Sequence, residues 1–265
     1  MKSLLSFAVF AALVYVGLCA ALFLMQRSMI YFPQPRDPGE TSATLPLSVD
    51  GAELVVSVRE HDGPDAIVYF GGNGEDVTYN LPSFSAAFPG HALYLMNYRG
   101  YGGSSGSPSE TALQQDAVAL FDLVHARHAN VVVMGRSLGS GVAIRLASQR
   151  PAAGLVLITP YSSIAELGAR QLPIFPVRWL LQDKYESWRY AAAIKVPTTF
   201  VVAEHDEIIP RWSSDDLFAR FNPGIASVQI IPDAGHNNLS ATPRYVQALQ
   251  IALNRCDGLA RNCQQ

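Results

Sequence analysis

The most informative segment of the chain is Val131-Val132-Val133-Met134-Gly135-Arg136-Ser137-Leu138-Gly139-Ser140-Gly141. An apolar run typical of a buried parallel strand leads into Gly-x-Ser-x-Gly, and apolar residues at helical spacing follow. A strand-to-helix turn this tight presses Gly135 and Gly139 against neighbouring backbone. We expect Ser137 at its tip, in a strained conformation with its hydroxyl exposed. A chance glycine-rich turn is the alternative, which the flanking patterns disfavour.

Apolar runs on both sides of this stretch predict further strands. They lie at residues 54–58, 66–70, 93–98, 155–158, 199–203 and 228–231. A hairpin through Asp50-Gly51 would pair residues 47–49 with the first of these runs, antiparallel and at the edge of the sheet. Helical patterns between the other runs, such as residues 110–128, predict an α/β fold with a mostly parallel central sheet and helices on both faces. The apolar segment 161–193 predicts a small lid or, equally, a helix that covers the core.

Length and charge limit the classes of function. A chain of 265 residues is long enough for one large α/β domain. A net charge of −3 provides no basic field for nucleic acid, so no nucleic-acid partner is expected.

The N-terminus predicts a single-pass membrane anchor. No charged side chain occurs from Leu4 to Met25, a stretch that would span about 33 Å as a helix. A cleaved secretory signal is the alternative, but its small-residue site, Leu18-Cys19-Ala20-Ala21, lies inside the apolar run rather than after it. The few flanking charges do not decide the orientation.

Two cysteines bear on the compartment. Cys256 and Cys263 bracket a short polar segment that could close as a disulfide loop, which favours an oxidising compartment; two free thiols are the alternative. We therefore expect the catalytic domain outside the cytoplasm, in the periplasm if the source is bacterial. The predicted division of the chain is an anchor at 1–26, a connector at 27–46, a catalytic domain at 47–255 with its lid at about 161–193, and a polar tail at 256–265.

Titratable groups follow two of the predicted strands. Glu204-His205-Asp206-Glu207 ends one strand, and Asp233-Ala234-Gly235-His236 ends another. Parallel strands place such groups at one edge of the sheet, where open α/β folds bind ligands. A serine nucleophile needs an imidazole base, and that base needs a carboxylate to fix its tautomer. The chain order Ser137, Asp206, His236 supplies these parts, with Glu204, Glu207 and Asp233 as alternative acids.

A glycine-rich loop, Gly71-Gly72-Asn73-Gly74, follows the predicted strand at 66–70. Its backbone N–H groups could approach an anion or an oxyanion closely. A phosphate-binding loop is disfavoured because no Gly-Lys-Ser/Thr follows, and an ordinary turn is the alternative.

Several stretches together resemble the α/β-hydrolase family, in its membrane-anchored, small-lid, serine aminopeptidase-like branch. They are Gln26–Pro33, Asn97–Gly102, Gly135–Gly139, Glu204–Pro210 and Gly235–Asn237, and the resemblance extends over residues 26–253. It implies that Ser137 is the nucleophile, His236 the general base and Asp206 the orienting acid. The N–H groups of Leu138 and Asn73 would form the oxyanion hole. Relatives often have His-Gly in place of Gly71-Gly72, so Gly72 is the alternative second donor.

The predicted function is that of a serine hydrolase that cleaves a carboxylic ester or thioester through an acyl-enzyme. A small-molecule or lipid-like acyl compound would be the substrate, and no metal or organic cofactor is expected. A serine peptidase of the same fold and a non-catalytic, hydrolase-like binding protein are the alternatives.

Overall fold

The computed structural model describes residues 1–37 and 42–262, with side chains described as far as Cys256. Within this part of the chain, eight strands form one sheet in the order β1-β2-β4-β3-β5-β6-β7-β8. The strands are β1 (Thr44–Val49), β2 (Ala52–Arg59), β3 (Asp65–Phe70), β4 (Ala92–Met96), β5 (Asn130–Arg136), β6 (Gly154–Ile158), β7 (Thr198–Ala203) and β8 (Ala226–Ile231). β1 and β2 run antiparallel to their neighbours, and β4, β3 and β5 to β8 are parallel. The predicted α/β architecture is confirmed.

Helices cover both faces of this sheet. They are α1 (Lys2–Ile30), α2 (Leu81–Ala87), α3 (Glu110–His125), α4 (Leu138–Ala147), α5 (Ile164–Gln171), α6 (Val177–Leu180), α7 (Trp188–Ala191), α8 (Arg211–Phe218) and α9 (Pro243–Asn262). Strand side chains alternate between two apolar clusters: Val133 packs with α3 and α4, whereas its neighbours Val132 and Met134 pack with α2 and α9. The central strands are therefore buried on both sides, which explains their unbroken apolar runs.

The first strands follow the predicted hairpin closely. β1 pairs antiparallel with β2 through the Asp50-Gly51 turn and forms the edge of the sheet. β4 is shorter than predicted and ends at Met96. Asn97, which follows β4, donates its backbone N–H to the carbonyl of Val55 on β2 at 3.2 Å, and its side-chain amide donates to the same carbonyl at 3.1 Å.

The N-terminal helix α1 is long enough and apolar enough to cross a membrane. It continues to Ile30, four residues past the predicted end of the anchor. The chain then becomes extended at Tyr31 (φ −107°, ψ 127°). No flexible connector separates the helix from the domain at this point, since Tyr31 is itself buried in the core.

The described C-terminal residues are helical. Residues 256–262, within the predicted polar tail, continue α9. Cys256, on α9, is buried in the core cluster, where its side chain packs against Gly154. Cys263 lies outside the described residues, so the disulfide stays a prediction.

Three short helices occupy the segment predicted as a lid. α5, α6 and α7 connect β6 to β7, and they pass over the carboxyl edge of the sheet.

Candidate active site

Ser137 lies at the turn between β5 and α4. Its backbone has φ 49° and ψ −117°, a left-handed conformation that costs a non-glycine residue about 1–3 kcal/mol. The two glycines are present for the predicted reason. A Cβ on Gly135 would lie 2.2 Å from the carbonyl oxygen of Gly139, and one on Gly139 would lie 2.1 Å from that of Phe70. Close backbone packing thus holds the strained serine in place.

The three residues predicted to act together are within hydrogen-bond distance. Ser137 Oγ lies 3.0 Å from His236 Nε2. His236 Nδ1 lies 2.9 Å from each carboxylate oxygen of Asp206. All three side chains are buried, although Ser137 was expected to be exposed. The difference arises because the lid and α1 cover this edge of the sheet.

Asp206 is fixed by the backbone that follows it. Its Oδ1 accepts hydrogen bonds from the N–H groups of Ile208 (3.0 Å) and Ile209 (2.6 Å). These bonds hold the carboxylate toward the imidazole and stabilise its charge.

The alternative acids are directed elsewhere. Glu207 accepts a 2.9 Å hydrogen bond from the backbone N–H of His236, not from its ring, and this bond lowers the pKa of the Glu207 carboxyl. Glu204 accepts from the backbone N–H of Asp233 at 3.0 Å. Of the four carboxylates, the described structure therefore places Asp206 alone against the ring. Glu204, His205 and Asp233 have ligand atoms within 4.8 Å of one another, but all three are exposed, and such clusters are common without a metal ion.

The glycine loop distinguishes between the two candidates for the second oxyanion donor. The Gly72 N–H donates a 2.7 Å hydrogen bond to Glu75 Oε2, so it is already occupied. Among the described residues no group accepts a hydrogen bond from the Asn73 N–H, and Asn73 lines the same cavity as Ser137 and Leu138. The geometry favours Asn73 over Gly72 for this role.

Asn73 is also joined to the end of the N-terminal helix. Its side-chain amide donates to the carbonyl of Ile30 at 3.0 Å, and its own carbonyl accepts from the Phe32 N–H at 3.0 Å. Tyr101 Oη donates to the same Asn73 carbonyl at 2.7 Å. The glycine loop is therefore held from the side of α1.

A partly buried charged pair, which the sequence did not reveal, connects the glycine loop to the histidine loop. Arg136 Nη1 lies 3.6 Å from Glu75 Oε2, and Arg136 Nη2 donates to the backbone carbonyl of His236 at 3.1 Å. Burial by itself lowers the pKa of Arg136, but the carboxylate of Glu75 and nearby phenols outweigh it, so the pKa lies above its ordinary value. The sequence signal for this pair was Arg136, which lies inside the Gly-x-Ser-x-Gly motif. Its partner, Glu75, is 61 positions away and could not be identified from spacing.

Both carboxylate oxygens of Glu75 accept hydrogen bonds. Oε1 accepts from Tyr69 Oη at 2.7 Å and from Asn80 Nδ2 at 2.5 Å, and Oε2 accepts from the Gly72 N–H. Burial, and then the charge of Glu75, hold the pKa of Tyr69 well above its ordinary range, so the phenol stays a donor. This network fixes the glycine loop and the histidine loop relative to each other.

An apolar cavity of about 290 Å³ opens beside Ser137. Ser137, Leu138 and Asn73 form its polar end. The remaining walls come from the lid, from Ile208 and Ile209 in the loop after β7 and, unexpectedly, from α1. The cavity is near the lower end of the ~300–1,000 Å³ common for small-ligand sites.

The chain is similar to several known proteins. The family model described as "Serine aminopeptidase, S33" matches residues 72–191. An uncharacterized protein of Mycobacterium tuberculosis (strain CDC 1551 / Oshkosh) is 33% identical over 245 residues, which cover 86% of each chain. The lysophosphatidylserine lipase ABHD12 of Xenopus tropicalis is 30% identical over 182 residues, covering 59% of this chain and 46% of the lipase.

Solved structures share the architecture. The esterase Pf2001 of Pyrococcus furiosus superposes with a TM-score of 0.68 at 15% identity, covering 85% of this chain and 97% of the esterase. At this identity the likeness shows the fold alone, and the fold is that of α/β-hydrolases.

Proposed function

This chain belongs to the α/β-hydrolase family, and we propose that it is a serine hydrolase that cleaves a carboxylic ester or thioester. One observation carries the proposal: the continuous hydrogen-bonded row from Ser137 Oγ through His236 to Asp206, with separations of 3.0 and 2.9 Å. A serine hydroxyl becomes an effective nucleophile when an oriented imidazole can take its proton.

The proposed reaction has two steps, acylation of Ser137 and hydrolysis of the acyl-enzyme. Ser137 Oγ attacks the acyl carbon while His236 Nε2 takes its proton, and the N–H groups of Leu138 and Asn73 bind the resulting oxyanion. His236 then passes the proton to the leaving alcohol or thiol, and the acyl group stays on Ser137. Water, deprotonated by the same imidazole, attacks the acyl-enzyme and releases the carboxylic acid. Asp206 holds the ring in one tautomer and stabilises its charged form throughout.

The cavity supports an acyl substrate over a peptide. The description of the matching family model favours an aminopeptidase as a second candidate. An aminopeptidase must bind the ammonium group of its substrate, and a carboxylate is the group best suited to do so. Among the described residues, those that line the cavity include neither Asp nor Glu. Apolar side chains from the lid and α1 line it instead, which suits a hydrocarbon chain.

We also propose that α1 anchors the enzyme in a membrane, with the domain outside the cytoplasm. The anchor rests on the length and apolar composition of the helix. The side of the membrane rests on the predicted Cys256–Cys263 pair alone. An alkaline phosphatase fusion at the C-terminus of the full chain tests it: phosphatase activity in intact cells is expected, and an inactive fusion would reverse the orientation.

Covalent labelling tests the catalytic proposal directly. The full-length protein in detergent, treated with a fluorophosphonate probe, should be labelled, and Ser137→Ala should abolish the label. Ser148→Ala is the matched control, because Ser148 lies past the far end of α4 and bonds only locally. A folded wild type that stays unlabelled would favour the non-catalytic alternative. A parallel screen of p-nitrophenyl esters, thioesters and aminoacyl amides separates the esterase from the peptidase.

A further inference from the structure

One wall of the cavity beside Ser137 belongs to the N-terminal helix. Five residues of α1 line it: Leu22, Phe23, Gln26, Met29 and Ile30. Their spacing places them on one face of the helix. Leu24, between two of them in sequence, does not line the cavity and is 81% exposed.

The same face of α1 continues to a contact with the lid further along the helix. We call residues 172–181 the lid tip. Tyr15 Oη donates a 2.7 Å hydrogen bond to the Ile174 carbonyl, and the Tyr15 ring stacks on Phe175 with centroids 5.8 Å apart and planes 3° apart. The helix and the lid tip therefore lie side by side from Tyr15 to Ile30.

Polar contacts join α1 to residues 180–183, at the end of the helix nearest the catalytic domain. Gln26 donates to the Leu180 carbonyl at 3.3 Å and accepts from the Gln182 N–H at 2.6 Å. Arg27 Nε lies 3.2 Å from Asp183 Oδ2, and Tyr31 Oη donates to the same oxygen at 3.1 Å. The helix is thus part of the catalytic unit and not a tether attached by a loose linker.

The charges along α1 indicate where the membrane boundary lies. Arg27 is the first charged residue after Lys2, so the boundary falls near Arg27 and Asp183. Tyr15 lies twelve residues before Arg27, toward the N-terminus of the helix, or about 18 Å away at 1.5 Å per residue. Because the lid tip contacts Tyr15, it reaches the same depth as the hydrocarbon-spanning part of the helix.

The chemistry of the lid tip suits a hydrocarbon environment. Ile174 and Trp179 are 71% and 88% exposed, which is unfavourable in water but favourable in lipid. Its charged residue, Arg178, pairs with Glu166 on α5 at 2.6 Å. The lid tip is otherwise made of apolar side chains and prolines.

The backbone of the lid tip is also largely satisfied internally, as lipid requires. Phe175 donates to the Leu172 carbonyl at 3.0 Å, and Val177 donates to that of Phe175 at 2.8 Å. Pro173 and Pro176 have no N–H to satisfy. The Tyr15 hydroxyl satisfies the carbonyl of Ile174, in the middle of the segment.

The open side of the cavity faces the same surroundings. Phe23, which lies on the hydrocarbon side of Arg27, lines the cavity yet remains 40% exposed. It lies on the part of α1 next to the lid, so the opening here is between the two membrane-facing elements. A chain leaving the cavity here would enter the hydrocarbon layer and not water.

We propose that α1 and the lid tip form an acyl-binding cavity with its mouth in the bilayer, and that the substrate is a membrane-resident lipid ester or thioester whose acyl chain enters sideways from the hydrocarbon layer. This inference rests on the proposed hydrolase function, with Ser137 at the inner end of the cavity. In this proposal, α1 selects the substrate by its acyl chain and also anchors the enzyme in the membrane.

Substitutions on two faces of α1 test the cavity wall. The full chain is reconstituted in phosphatidylcholine vesicles, and the ratio of hydrolysis rates for a long-chain and a two-carbon acyl ester is measured. Leu22→Trp fills the cavity and should lower this ratio about tenfold, whereas Leu22→Ala enlarges it and should raise the ratio for the longest chains. Leu24→Trp and Leu24→Ala, on the lipid-facing side, should leave the ratio as in the wild type.

The outcomes separate this inference from the proposed function. Fluorophosphonate labelling of the wild type tests the hydrolase chemistry alone. If the wild type is labelled but both Leu22 variants keep the wild-type ratio, the helix is not a wall of the acyl site and the inference fails while the hydrolase stands. Two substitutions of opposite size guard against a variant that folds poorly.

Fluorescence quenching tests the position of the lid tip. Vesicles that contain lipids brominated along the acyl chain should quench the tryptophan emission of the wild type more strongly than that of Trp179→Phe. Equal fractional quenching in the two proteins would place the lid tip in water and overturn the lateral route.

Discussion

The two sides of the cavity are built in different ways. On the sheet side, Ser137, Asp206 and His236 are buried at strand ends and are each held by hydrogen bonds. On the membrane side, α1 and the lid tip leave large apolar surfaces uncovered and meet through a few polar contacts centred on Gln26 and Asp183. Under the two proposals, reaction chemistry and acyl-chain selection lie in separate parts of the molecule. Changes on the sheet side should slow all esters alike, whereas changes on the membrane side should depend on the acyl chain.

The largest effect is expected from removal of the nucleophile. Ser137→Ala should lower kcat/KM by at least about 10⁴-fold for short and long acyl esters alike, because no other group can form the acyl-enzyme. Vesicle-based ester hydrolysis with both substrates measures it. Residual activity above about a hundredth of the wild type would contradict Ser137 as nucleophile.

A slightly smaller loss is expected from Asp206→Asn. The amide keeps the shape of the carboxylate but no longer stabilises the imidazolium or fixes its tautomer, so kcat should fall about 10³–10⁴-fold. Glu204→Gln is the matched control, since Glu204 bonds to the Asp233 backbone instead of the ring. If the two variants lose activity equally, Asp206 is not the orienting acid.

Substitution of Glu75 tests whether the sheet side acts as one unit. Glu75→Gln should lower kcat about tenfold with little change in KM or in the long-to-short ratio, because the glycine loop and the histidine loop lose their common partner. It also leaves the partly buried Arg136 without its carboxylate partner, which should lower the stability of the folded state.

A double variant provides the control for this prediction. Glu75→Gln with Arg136→Met removes both charges and should regain part of the lost stability without regaining kcat. Thermal unfolding and steady-state kinetics on the same samples measure both quantities. Recovery of kcat along with stability would reduce Glu75 to a purely structural role.

On the membrane side, Asp183→Asn should alter the selection of the acyl chain more than the rate of the chemical step. Loss of the charge weakens the contacts from Arg27 and Tyr31, so the helix and the lid should part more readily. We expect a two- to fivefold fall in the rate for long-chain esters and less than twofold for the two-carbon ester. An equal fall for both substrates would show that the two sides are not separable.

The smallest effect is expected at Glu207. The backbone N–H of His236 lowers the pKa of Glu207, so the charged carboxylate stabilises the folded state above its ordinary pKa of about 4.5, and this contribution is lost as the pH falls through the lowered value. Glu207→Gln should change activity at pH 7 less than twofold. Its midpoint of thermal unfolding, slightly below that of the wild type at pH 7, should converge with it below pH 4. A gap that persists at low pH would exclude the charge as the cause.

Most of the fold could be predicted because its signals are local. The run Val131–Met134 and its neighbouring strands are buried on both faces, so each needs only apolar residues in series. The predicted end of β4 was two residues too late. Beyond this end, the backbone N–H and the side-chain amide of Asn97 both bond to the carbonyl of Val55, 42 positions earlier, a contact that spacing does not reveal. The helical end of α9 was missed because a polar sequence near a terminus has no pattern that excludes a loop.

The strand-turn-helix at Ser137, and the order in which its partners follow, could be read from the residues alone, since strand ends of a parallel sheet must share one edge. Their approach to hydrogen-bond distance agrees with that order, and their catalytic roles stay predictions. Three features became visible in the folded molecule and not before: Glu75 occupies the Gly72 amide, Arg136 reaches the histidine loop, and the N-terminal helix α1 lines the cavity. Each of these depends on contacts between residues far apart in the chain, and spacing along a sequence contains no information about which distant surfaces pack together.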